Sequence, residues 1–93
     1  MKTTGKEKTK KTNFSFLAPE AGHVFLVGDF NAWSTTSHPM KKDKKGAWKT
    51  SINLLPGTYQ YRFLVDGSWQ NDPSCTEWAP NEFGTLNCVK NVA

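Results

Sequence analysis

Apolar and polar residues alternate with a period of two over several stretches of this chain, and nowhere do they hold the 3.6-residue period of an amphipathic helix. Phe14, Phe16 and Ala18 alternate with Asn13, Ser15 and Leu17 until Pro19 stops the run. Residues 23–27 form a β-branched and aromatic run closed by Gly28-Asp29. Residues 29–46 have a loop's composition, rich in Asn, Ser, Thr and Lys, with Pro39 and Gly46. Residues 47–54 read as the next strand, ended by the turn signal Pro56-Gly57. In the clearest segment Tyr59, Tyr61, Phe63 and Val65 face one way, and Thr58, Gln60, Arg62 and Leu64 the other. Asp66-Gly67 then signals a tight hairpin, because a type I′ turn needs φ > 0 at both central positions. A return strand over 68–71 stops at Asp72-Pro73, and a long loop leads to a last strand near 87–92.

About six to eight short, mostly antiparallel strands with no helix predict an all-β sandwich. The two aromatic rows, Phe14/Phe16 and Tyr59/Tyr61/Phe63, are its expected core, with Trp48 packed beside them. Residues 1–12 carry no apolar residue after Met1 and are expected to be a disordered, Lys-rich tail, leaving 13–93 as one domain. That length excludes a (β/α)₈ barrel, which takes about 250 residues, and so argues for a binding module rather than a glycosidase.

The hairpin register places one candidate functional residue. With Asp66 and Gly67 as the turn, Val65 faces Ser68 and Leu64 faces Trp69. Leu64 shares the Arg62 side, so Trp69 is expected outside the core, next to a cation. An exposed indole is costly surface unless something covers it. Trp33 follows Gly28-Asp29-Phe30-Asn31-Ala32; Phe30 can turn inward, leaving Trp33 either as a second exposed plate or as a cap on the sandwich. Trp78 is open between shielding the sheet edge and extending such a platform. Aromatic plates beside Arg and side-chain amides suit a sugar ring, whose C–H face packs on a π-surface while its hydroxyls need mixed donors and acceptors.

Charge narrows the alternatives. The net charge is +4, and residues 1–12, with five Lys against one Glu, account for all of it. The other local excess is the cluster Lys41-Lys42-Asp43-Lys44-Lys45, so no face of the fold is expected to be a phosphate footprint, and nucleic acid is not an expected partner. No run of apolar residues is long enough to span a membrane, and the basic N-terminus leads into no apolar segment; a cytoplasmic location is expected. Cys75 and Cys88 are read as free thiols, and with His23 and His38 they show no metal-ligand spacing; neither metal nor cofactor is expected. The acids Asp29, Asp43, Asp66 and Asp72 fall in turns, a bend or a Lys cluster, and Glu20, Glu77 and Glu82 in loops, none in the pairing that glycoside hydrolysis requires.

Three stretches, in this order, carry a resemblance: Val27-Gly28-Asp29-Phe30-Asn31-Ala32-Trp33-Ser34, then Leu55-Pro56-Gly57-Thr58-Tyr59-Gln60-Tyr61-Arg62-Phe63-Leu64-Val65-Asp66-Gly67-Ser68-Trp69, then Phe83-Gly84-Thr85-Leu86-Asn87. Over residues 13–92 the chain resembles the glycogen-binding module of the AMP-activated protein kinase β subunit and the N-terminal domains of isoamylases and glycogen-branching enzymes. The resemblance implies an immunoglobulin-like, early-set sandwich that binds α-1,4-glucan, as glycogen, starch, maltodextrin or cyclodextrin, without catalysis. It implies that Trp33 and Trp69 stack on sugar rings, that Arg62 binds hydroxyls, that Phe83 pokes into the sugar helix, and that Thr85 and Asn87 hydrogen-bond the sugar. Two departures stand out: Arg62 sits where the family usually has Lys, which changes contact geometry, and the segment before Phe83 is slightly longer. The alternative reading is a protein-interaction adaptor for a glucan-metabolising enzyme or a kinase complex.

Overall fold

The structure is a computed structural model, and it describes residues 8–93. Eight strands form two antiparallel sheets: β1 (Lys10–Leu17), β2 (Val24–Gly28), β3 (Lys41–Lys42), β4 (Ala47–Leu54), β5 (Gly57–Val65), β6 (Ser68–Gln70), β7 (Trp78–Pro80) and β8 (Leu86–Val92). One sheet runs β1-β4-β3 and the other β2-β5-β8-β7, with β6 also paired to β5. Tyr61 pairs with both Gly28 and Cys88, and Phe63 with both Leu26 and Gln70, so β8 and β6 share one edge of the long β5 while β2 holds the other. A single 3₁₀ turn, Asp29–Asn31, is the one helical piece among the described residues, and no helix there is long and apolar enough to cross a membrane.

The core follows from the alternation. Phe14, Leu26, Trp48, Tyr61, Phe63 and Cys88 are buried between the sheets, and Phe63 and Leu26 are fully so. Phe14 packs edge-on against Tyr61 at 5.0 Å, and Tyr61 against Phe63 at 5.7 Å, the tilted geometries that ring quadrupoles favour. Two polar tips inside are satisfied: Trp48 Nε1 donates to the Ala18 carbonyl at 2.8 Å, and the Tyr61 hydroxyl donates to Asp72 at 2.7 Å. Burial together with that hydrogen bond pushes the Tyr61 phenol up from its ordinary value.

Three expectations are corrected. The tail expected to be disordered through Thr12 is strand over 10–12: Lys10, Lys11 and Thr12 pair with Leu54, Asn53 and Ile52, and the inward Thr12 is buried. Residues 1–7 lie outside the described residues. The loop read over 29–46 contains β3, and the long loop before the last strand contains β7; two or three residues are too few to display a period. Finally, the lysines are not confined to tail and loop. Lys11, Lys41 and Lys49 share the outer face of the three-stranded sheet with Asn13, Ser15 and Ser51.

Candidate functional site

The outer face of the five-stranded sheet is built around β5. Its outward row is Gln60, Arg62 and Leu64, and Trp69 of β6 stands directly opposite Leu64, as the hairpin register requires. The turn is the one its residues demand, with Asp66 at φ 47° and Gly67 at φ 84°. The Asp66 side chain accepts the backbone N–H groups of Gly22, at 3.0 Å, and His23, at 2.8 Å, and these bonds hold its carboxyl below the usual carboxylate range. Trp69 is 43 % exposed, and the Arg62 Cζ lies 5.8 Å from the centroid of its ring. Arg62 is itself fixed: Nε donates to Asn71 Oδ1 at 2.9 Å and Nη1 to Thr85 Oγ1 at 3.4 Å.

Trp33 reaches the same face through a strained bend. Gly28 closes β2 so tightly that a Cβ there would lie 2.6 Å from the Gln60 carbonyl and 2.7 Å from the Phe30 ring. Asp29 then accepts the Gln60 N–H at 3.1 Å, and Phe30 turns inward onto Phe14, with 5.7 Å between ring centroids. Asn31 ties the bend together. Its oxygen accepts from Gly28 N at 3.1 Å and Ser34 N at 3.2 Å, and its amide donates to the Leu26 carbonyl at 3.1 Å. Ala32 and Trp33 consequently adopt left-handed backbone at φ 58° and 59°, an arrangement that costs of order 1–3 kcal/mol per residue and marks functional loops. Trp33 is left 38 % exposed.

Phe83 sits on the β7–β8 hairpin loop and is 81 % exposed. Trp33, Arg62, Trp69, Phe83, Thr85 and Asn87, the six residues singled out from sequence, line a single open groove of about 850 Å³. Sequence reasoning missed Gln60, Asn81 and Glu82, which line it too. Gln60 was legible as a neighbour of Arg62 on the outward row, and Asn81 and Glu82 only through their closeness to Phe83. Asn87 differs from the other five: it is 5 % exposed at the floor of the groove, its amide donating to Gln60 Oε1 at 3.0 Å. Trp78 does not line the groove. It pairs with Cys88 and so shares the inward face of that sheet, at the β7 edge.

The remaining chemistry is sparse. Glu82 is the one carboxylate among the groove-lining residues. Among the described residues no three His, Cys, Asp or Glu side chains come close enough to hold a metal ion. Cys75 and Cys88 are free thiols; Cys88 is fully buried, and burial, reinforced by Cys75 beside it, pushes its thiol up to about 12, so it stays protonated.

A sandwich that presents aromatic plates and a fringe of amides and guanidinium along one open groove is a surface-binding module. The chain belongs to the family described as the glycogen recognition site of AMP-activated protein kinase, whose model matches residues 11–93. It is 45 % identical over 53 residues to protein PTST homolog 2, chloroplastic, of Arabidopsis thaliana, covering 57 % of this chain and 10 % of that protein. It is 40 % identical over 63 residues to protein FLOURY ENDOSPERM 6, chloroplastic, of Oryza sativa subsp. japonica, covering 68 % and 12 %. It is 38 % identical over 69 residues to the human 5′-AMP-activated protein kinase subunit beta-2, covering 74 % and 24 %. The chain thus spans about a tenth of the length of the first two relatives.

Proposed function

We propose that the chain binds α-1,4-glucan of the glycogen or starch type in this groove, without catalysing its conversion. The observation that carries the reading is the convergence of three exposed rings, Trp33, Trp69 and Phe83, on one groove whose remaining lining is Gln60, Arg62, Asn81, Glu82, Thr85 and Asn87. Glucose rings present an apolar face to the indoles and a ring of hydroxyls to the fringe. Each such contact is worth about 1–2 kcal/mol after competition with water. Two plates and a few hydrogen bonds give a roughly millimolar to micromolar Kd for a short maltodextrin or a cyclodextrin, and a many-ended polymer is held tighter through avidity.

A non-catalytic role is supported by the lone groove carboxylate: glycoside hydrolysis uses two, about 5–10 Å apart across the scissile bond. The relatives named as a kinase subunit and, in Saccharomyces cerevisiae, as a 1,4-alpha-glucan-branching enzyme favour a module that brings a glucan-metabolising partner, encoded on the same or another chain, to its polymer. A compartment that keeps thiols reduced, the cytoplasm in the simplest case, suits free Cys75 and Cys88. Native gel electrophoresis with and without glycogen in the matrix tests the reading. Wild type is expected to be retarded by glycogen, and Trp33→Ala and Trp69→Ala less so; equal mobility of wild type in both gels would overturn it.

A further inference from the structure

The aromatic plates are set by strands and a strained bend, but Phe83 has no such support: it stands on a five-residue loop, 81–85, between the edge strand β7 and its neighbour β8. Two backbone bonds close that loop, Asn81 N–H to the Thr85 carbonyl at 2.9 Å and Gly84 N–H to the Asn81 carbonyl at 3.3 Å, and one side chain supplies the rest of its bracing. Asn81 Oδ1 accepts the backbone N–H of Phe83 at 2.9 Å and of Thr85 at 3.1 Å, pinning the loop on both sides of Gly84, which turns at φ 81°. Its amide nitrogen donates to Thr85 Oγ1 at 2.8 Å and to Asn87 Oδ1 at 2.9 Å. Two lone pairs and two N–H groups are the whole hydrogen-bonding capacity of an Asn side chain, and all four are used here, three within the loop and one on Asn87 of β8.

The second of those donated bonds has a consequence further along the floor. Because Asn87 receives the Asn81 N–H on its oxygen, its own NH₂ faces Gln60, and it donates to Gln60 Oε1 at 3.0 Å. Gln60 in turn keeps its NH₂ for something else, and Gln60 lines the groove. The three amides therefore point in a fixed sense, Asn81 to Asn87 to Gln60, and the last donor in the relay is left for a ligand oxygen.

We infer that Asn81 is the positioning residue of the groove: it holds the Phe83 loop in its binding shape and fixes the direction of the amide relay, so that Gln60 serves as a hydrogen-bond donor to the bound sugar. This rests on the glucan reading above. Preorganisation matters here because an exposed loop that must order on binding subtracts that cost from an affinity that is modest to begin with.

Replacement by Ala removes both functions. Asn81→Asp separates them: the carboxylate still accepts the Phe83 and Thr85 N–H groups, but it cannot donate to Asn87. Asn87 then turns its NH₂ toward position 81, its oxygen faces Gln60, and Gln60 presents an acceptor in place of a donor.

The test is calorimetric titration with maltoheptaose, alongside amide hydrogen exchange at Phe83 and Thr85. Asn81→Ala is expected to lose protection at both amides and to bind about tenfold more weakly, while Asn81→Asp keeps protection yet binds about threefold more weakly. Phe83→Ala combined with Asn81→Ala is expected to fall short of the product of the two single losses, because one acts through the other. Affinity of Asn81→Ala within about twofold of wild type, or a double variant weakened by the full product, would overturn the inference while leaving glucan binding intact. Failure of the wild type itself to bind maltoheptaose would sink the glucan reading and this inference together.

Discussion

The two sheets present outer faces made by the same alternation and facing opposite ways, yet only one carries aromatic plates. On the five-stranded sheet the outward positions are Gln60, Arg62, Leu64 and Trp69, overhung by the Trp33 bend and the Phe83 loop. On the three-stranded sheet they are Lys11, Asn13, Ser15, Lys41, Lys49 and Ser51. Both faces offer donors and acceptors in plenty. What separates them is apolar flat area beside the polar groups, and water competes too well for a hydroxyl fringe without it. The lesson is that a sugar surface is made by the plates, while the fringe only orients what the plates hold.

The largest blow to this comparison is one that removes both faces at once. Phe63 is fully buried, touches Phe16 at 4.9 Å between ring centroids, and lies on β5 between the outward Arg62 and Leu64. Phe63→Ala is expected to cost about 3–5 kcal/mol, a large share of the about 5–15 kcal/mol a domain has in total. Urea denaturation measures it, and a loss below about 1 kcal/mol would mean that the sandwich core is not where the alternation puts it.

Next in size is Trp69→Ala, which touches the groove alone. Affinity for maltoheptaose is expected to fall about thirtyfold, near 2 kcal/mol, with stability changed by less than about 0.5 kcal/mol, since the ring is half exposed. Titration calorimetry and thermal denaturation read the two effects apart. A variant that lost stability but not affinity would make Trp69 a structural cap.

A smaller pair of effects uses the fact that each sheet has one hairpin turn held by an acid. Asp66 accepts backbone N–H groups from Gly22 and His23 beside Trp69, while Asp43 accepts those of Ala47, at 3.0 Å, and Lys45, at 2.8 Å, in the β3–β4 turn. These bonds lower both carboxyl pKa values from 3.8. The unfolded chain therefore takes up protons first, so the stability each acid supplies is present above about pH 4 and lost as pH falls through the lower, folded value. Asp66→Asn and Asp43→Asn should each flatten the acid side of the stability profile, but only Asp66→Asn should also weaken glucan binding, by about twofold, because its turn carries Trp69. Equal affinity losses in the two would break the distinction between the faces.

How much of this was legible follows from which forces write themselves into a local pattern. The register of the β5–β6 hairpin was readable to the residue because alternation, Asp66-Gly67 and the aromatic row all agree, and the outward Trp69 followed by counting; only the strand ends moved, β5 beginning at Gly57 and β6 ending at Gln70. β3 and β7 were not, since Lys41–Lys42 and Trp78–Pro80 are two and three residues long and are held by pairing to the next strand rather than by a period of their own. The six candidate site residues were legible in part from that counting and in part from resemblance; Phe83, on a loop with no pattern at all, came from resemblance only. Of the residues that shape the site, Gln60 was legible on the outward row, whereas Asn31 and Asn81 stayed hidden because an Asn bonded to nearby loop backbone marks a turn without saying which surface that turn builds.

The smallest expected effect is also the sharpest control. Lys49 and Ser51 stand on the outer face of β4, where a polar lining comparable to the groove's fringe is present without a ring. Lys49 makes an exposed ion pair with Asp43 at 3.1 Å, but it also stands directly opposite Lys41. An exposed pair contributes at most about 1 kcal/mol, and the facing like charge offsets part of it, so Lys49→Ala combined with Ser51→Ala should shift stability by a few tenths of a kcal/mol. Affinity for maltoheptaose should stay within about twofold of wild type, and adding salt should change it as little, because no ion pair with a neutral sugar is lost. A salt-sensitive loss as large as that of Trp69→Ala would shift the binding role to the lysine face and make its ligand an anion.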